Sequence, residues 1–116
     1  MGDDYTVIPI RGFPALTEVR LYDETMDYIA ARHSEFRMEL PSQRAALEDA
    51  VANYTAIHAS MTNPEKSFVI VSDSFTYFDD PVVVPVRQVK GTSFRVATAY
   101  FSGSTYPGRI LRSSGN

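Results

Sequence analysis

The chain has 116 residues, 44% apolar and 22% charged, with a formal net charge of −3 and no cysteine. That length supports one domain around one core and excludes two, and the composition excludes a disordered tail or a fibrous repeat. Without cysteine there is no disulfide framework, no thiolate nucleophile and no cysteine-ligated metal centre.

The first residues place Asp3 and Asp4 where a signal peptide needs cations, and no apolar run long enough to span a bilayer follows. The expectation is a cytoplasmic protein without membrane attachment. Gly2 with Thr6 matches a myristoylation pattern, but the flanking acids disfavour a membrane anchor. Tyr5 to Ile10 alternates as a short strand, Arg11 to Pro14 turns the chain, and Leu16 to Tyr22 alternates again, which predicts an N-terminal hairpin or extended arm. Asp23 then caps a helix through Phe36, with Met26, Ile29, Ala30 and His33 on one face. A second helix starts at Ser42 after Pro41 and buries Ala46, Leu47, Ala50 and Val51.

Helical spacing could continue through Tyr54, Ile57 and Met61, but the Tyr, Thr and Ile of Asn53 to Ser60 favour a strand before a turn at Thr62 to Pro64. Further strands are predicted at Ser67 to Ser72, Val82 to Val89 and Phe94 to Phe101, the last after a turn at Lys90 and Gly91. Pro85 removes a ladder donor, so a bulge or free edge is expected near it. Asp79 and Asp80 lack further ligand spacing and read as a solvated turn, so no metal is expected. The resulting fold class is α+β, with two N-terminal helices packed on one face of a four-stranded antiparallel β-meander. The domain spans residues 1–112, residues 113–116 form a frayed tail, and the second sheet face is left for solvent or ligand.

Charge is unevenly spread. From Pro81 onward the chain has Arg87, Lys90, Arg95, Arg109 and Arg112 and no acid, whereas the preceding residues carry fourteen acids against six cations. This asymmetry points to an anion-binding surface on an acidic protein. In the last strand Thr98 and Tyr100 alternate with Arg95, so both hydroxyls fall on one face and Arg95 on the other unless a bulge intervenes. Arg87, ending the stripe Val83, Pro85, Arg87, is then the preferred phosphate clamp, because a guanidinium fork matches phosphate geometry. His58 reads as a packing or surface residue of a strand. No Gly-rich phosphate loop, G-x-S-x-G elbow or zincin helix occurs, so nucleotide hydrolases, serine hydrolases and metalloproteases have no foothold.

Arg32 and His33 at the end of the first helix, the β-rich run Val82 to Val86, and the run Val96, Thr98, Ala99, Tyr100, Phe101 resemble the barnase, EndoU and RelE-like nuclease superfamily, in particular its small phage and polymorphic-toxin domains. The resemblance covers most of the chain and implies a toxin-type ribonuclease without cofactor or metal, cleaving RNA by transesterification to a 2′,3′-cyclic phosphate. It implies His33, Thr98 and Tyr100 as catalytic residues and a cognate immunity protein or antitoxin as a further partner; Arg87, from its strand stripe, and Arg32 are expected to bind the substrate. Two features depart from the family pattern: Ser34 follows the histidine where Pro is common, and no strand carboxylate is placed as a general base. The alternative is a non-catalytic interaction domain derived from the same fold.

Overall fold

Apolar and polar residues alternate at both ends of the first hairpin, and the chain pairs them accordingly. In the computed structural model, which describes residues 4–33 and 40–113, β1 (Tyr5–Pro9) and β2 (Glu18–Tyr22) run antiparallel and bury Ile8, Val19 and Leu21 on one face. Helix α1 (Asp23–Arg32) follows directly, with Met26 and Ile29 in the core. Its start carries no side-chain cap; instead Asp23 pairs with Arg44 at 2.6 Å, and Asp23 and Glu24 lie where the helix dipole favours acids. Helix α2 (Leu40–Ala52) buries Leu47, Ala50 and Val51. The helix expected through Phe36 ends at Arg32, with His33 already extended, and Ser113, expected in the tail, pairs with Ala56 in the last strand; Ser34, the myristoylation pattern at Gly2 and residues 114–116 lie outside the described residues.

After α2 the strand reading of the ambiguous segment holds in its centre: β3 is Ala56–Ala59. It pairs antiparallel with β4 (Ser67–Tyr77), β4 with β5 (Asp80–Lys90), and β5 with β6 (Ser93–Val96). Gly91 turns β5 into β6 with φ +55°. This much is the expected meander, but the four-stranded sheet is corrected by three additions. β2 pairs in parallel with β6, placing Val19 opposite Phe94, so the N-terminal hairpin is part of the sheet and not an arm. β8 (Ile110–Ser113) adds to β3 at the other edge, and β7 (Tyr100–Phe101) pairs with the first half of β5. The result is an eight-stranded mixed sheet in the order β1-β2-β6-β5-β4-β3-β8. The reason is edge satisfaction: the free edge of β6 and that of β3 would otherwise expose unpaired backbone, and two short alternating segments distant in sequence fill them.

The predicted single strand Phe94 to Phe101 is also corrected. Val96 lies opposite Val86 and Tyr100 opposite Val83, so three residues, Ala97 to Ala99, face two, Val84 and Pro85. Ala97 donates its N–H to the Pro85 carbonyl at 2.9 Å, on the edge where Pro85 has no N–H to return. The missing donor and the extra residue coincide, as a proline inside a sheet requires. Along β5, Val82, Val84 and Val86 enter the core with the helices, while Val83, Pro85 and Arg87 lie on the outer face. No helix among the described residues is long and apolar enough to cross a membrane.

Candidate functional site

The bulge reverses the alternation of the last strand. Tyr100 pairs with Val83 and therefore stands on the outer face, while Val96 and Ala99 are buried in the core. Arg95, paired with Arg87, stands on that same outer face. Arg20 pairs with Arg95 across the parallel β2–β6 ladder and joins them. Three guanidinium side chains thus occupy one row across β2, β6 and β5, where like charges set opposite one another are destabilising. Carboxylate compensation is slight: Glu18 Oε2 lies 3.6 Å from Arg20 Nε, too far for a hydrogen bond, and that Nε is buried without one.

Aromatic rings take up part of this charge. The Arg95 guanidinium lies 4.3 Å from the centre of the Tyr22 ring and Arg20 lies 4.9 Å from that of Tyr5, both within cation–π range. Arg95 also donates to Thr25 Oγ1 at 3.3 Å, and Arg20 to the Tyr22 hydroxyl at 3.4 Å. The Tyr22 hydroxyl is the main reason that the Arg20 guanidinium is held above its ordinary pKa. Arg87 is exposed and forms no ion pair among the described residues.

Helix α1 walls this face. Thr25 and Tyr28 line, together with Arg87, Arg95, Val96 and Ala97, a cleft of about 410 Å³. Four and five residues after Tyr28 come Arg32, whose guanidinium lies 5.5 Å over the Tyr28 ring, and His33, which closes the helix by donating its N–H to the Ile29 carbonyl at 2.8 Å. The half-buried His33 ring is 6.3 Å from the Tyr100 ring, centre to centre, at 33°. From Thr25 to His33 the helix rises about 12 Å, at ~1.5 Å per residue. From Arg87 back to Val83, the partner of Tyr100, β5 covers about 13 Å at ~3.3 Å per residue. The arginines therefore lie beside the start of α1, and the imidazole and phenol beside its end, about 12–13 Å further on.

Tyr100 is held above its ordinary pKa, first by burial and then by the neighbouring Tyr106 phenol, so its hydroxyl stays protonated and able to donate. Of the residues singled out in the sequence, Arg87 lines this cleft, while Arg32, His33 and Tyr100 lie beyond it, toward the end of α1. Thr98 is half-buried in the three-residue break beside it, and the strict alternation that paired its hydroxyl with Tyr100 does not run through that break. Arg20, Arg95, Thr25 and Tyr28 were not expected. Arg95 was legible only to the extent that Pro85 announced a bulge, and Arg20 required a pairing between residues 75 apart in sequence.

His58 lies deeper on the same sheet face. It is buried, with Nδ1 2.8 Å from the Gly108 carbonyl and its ring packed edge-on against Tyr106 at 5.5 Å. The segment Ser102 to Tyr106 covers it and leaves a cavity of about 150 Å³. A separate opening of about 330 Å³ between Arg11, Asn53 and Arg112 contains neither histidine. Among the described residues no group of three His, Asp or Glu is arranged to hold a metal ion. No family model, curated protein or solved structure matches the chain.

Proposed function

We propose that the protein is a metal-independent endoribonuclease working in the cleft between α1 and the outer sheet face. The observation that carries this reading is the approach of His33 to Tyr100, 6.3 Å between ring centres, further along α1 from the cleft that Arg87 and Arg95 line. Transesterification of RNA needs a proton taken from the 2′-hydroxyl, a proton given to the departing 5′-oxygen, and donors for the charge on the pentacoordinate phosphorus. Imidazole exchanges protons near neutral pH, and His33 takes the proton-transfer role. The neutral Tyr100 phenol donates to a non-bridging oxygen, with Thr98 beside it. Arg32, next to His33 at the end of α1, supplies positive charge to the phosphate, and Arg87 stands about 13 Å away along β5. The bond from phosphorus to the 5′-oxygen breaks as the 2′-oxygen bonds to phosphorus, leaving a 2′,3′-cyclic phosphate and a free 5′-hydroxyl.

Incubation with mixed-sequence RNA in excess chelator is expected to give fragments with cyclic phosphate ends, and His33→Ala to lower the rate by about 10²–10⁴-fold. RNA that stays intact at high protein concentration overturns the reading. One observation favours a second reading, a non-catalytic interaction domain: Phe78 is 83% exposed at the tip of the β4–β5 hairpin, its ring centre 4.5 Å from that of Tyr77. Under that reading the wild-type chain expresses in cells as freely as His33→Ala, whereas an active ribonuclease does not.

A further inference from the structure

We infer that Arg20 and Arg95 bind a phosphate other than the one that is cut, so that the cleft takes an extended single strand of RNA and not one isolated linkage. This rests on the ribonuclease reading for its catalytic half, but the binding half stands on the arginine row. The row lies about 13 Å along β5 from the Tyr100 level. Arg87 forms no ion pair among the described residues. Arg95 is tethered by Thr25 at 3.3 Å and stacked on Tyr22 at 4.3 Å, and Arg20 is held by Tyr22 and Tyr5. Both are fixed at the far end.

Three cations in one row share one carboxylate, Glu18 at 3.6 Å from Arg20, and a bound phosphate relieves their remaining repulsion. The neighbouring rings fit a strand whose bases are unpaired. Tyr28 is 48% exposed beside the cleft, and Tyr5 is 43% exposed where its ring meets Tyr22 at 4.8 Å. Such rings stack on unpaired bases, which a duplex keeps inside. The wall of α1 on one side and the sheet floor on the other also leave a groove for one strand.

The test separates binding from cleavage. Binding is measured by fluorescence anisotropy with a labelled 12-nucleotide strand whose sugars are all 2′-deoxy, which cannot be cut by this route. Arg95→Ala and Arg20→Ala are each expected to weaken its binding about tenfold and to reduce the dependence on salt, while Lys66→Ala, on the loop before β4, changes neither. Cleavage is measured in parallel on a dinucleotide, which has no second phosphate, and on a 12-nucleotide RNA. Arg95→Ala is expected to lower kcat/KM on the long RNA and leave the dinucleotide rate unchanged. Equal losses on both substrates overturn the inference, because Arg95 then acts at the cut phosphate. Unchanged binding of the deoxy strand, or tighter binding of the matching duplex, overturns it as well. Loss of binding in Arg95→Ala together with a wild-type protein that cuts nothing sinks the ribonuclease reading while leaving the row as a strand-binding site. Arg95→Lys, which keeps the charge but not the fork, controls for folding through an unchanged unfolding midpoint and partial recovery of binding.

Discussion

Tyr100 shows how burial and function meet in one side chain. Its phenol is raised above its ordinary pKa by burial and by Tyr106, so the folded state prefers the protonated form more than the unfolded chain does. That preference contributes in full below the unfolded value near ~10 and is lost as pH rises through the folded value. The wild-type protein should therefore lose stability between about pH 10 and the higher folded value, and Tyr100→Phe should flatten that loss. Urea unfolding midpoints from pH 8 upward check it; parallel curves for the two proteins would show that another group is responsible. None of this was readable from the chain. The residues His33, Arg87 and Tyr100 could be picked out by type, but the face on which Tyr100 stands depends on one extra residue between Val96 and Tyr100.

Among the elements, the β4–β5 hairpin is the one most at odds with local preference. Tyr77 pairs with Asp80, leaving a two-residue loop, and both loop residues adopt positive φ, 50° at Phe78 and 69° at Asp79. Two-residue hairpin loops of this hand favour Asn-Gly, because a Cβ in the left-handed region is strained. Replacing the pair by Asn and Gly, Phe78→Asn with Asp79→Gly, is expected to stabilise the fold by about 1–2 kcal/mol, read as a rise in the urea midpoint at constant slope. The same double variant removes the exposed aromatic tip, so RNA cleavage that survives it would separate the hairpin from the cleft. The inner parts of these strands, Ser67 to Ser72 and Val82 to Val89, were legible because β-branched residues crowd Val82 to Val86 and Phe68 to Val71, but their continuation to Tyr77 and from Asp80 was not. The loop was read only as a solvated turn, because Phe in a position that suits Asn carries no turn pattern.

In the whole molecule, one core serves both helices and nearly every strand. Leu47 of α2 is fully buried within the cluster that includes Met26 of α1, Leu21 of β2 and Val84 of β5. Leu47→Ala is expected to cost about 2–5 kcal/mol. It should leave a single transition when followed by far-ultraviolet circular dichroism and by tyrosine fluorescence; two separated transitions would mean that the sheet and helices melt independently. The helices, the meander strands and the N-terminal hairpin were each visible as local periodicities, Met26, Ile29 and Ala30 or Val82, Val84 and Val86 among them. What periodicity could not convey was the joining of β2 to β6 and of β8 to β3. A strand's pattern states which face is buried and is silent on its neighbour.

The parallel ladder from Arg20 to Arg95 has a bearing on biosynthesis. Helices and hairpins can form as soon as their own residues leave the ribosome, but this pairing waits for residue 95 to be added, and contacts so distant in sequence form late and slowly. The nascent polypeptide consequently passes most of its elongation, in close company with messenger and ribosomal RNA, without the surface proposed to grip such strands. Affinity for RNA would arrive with the last docking event and not before it.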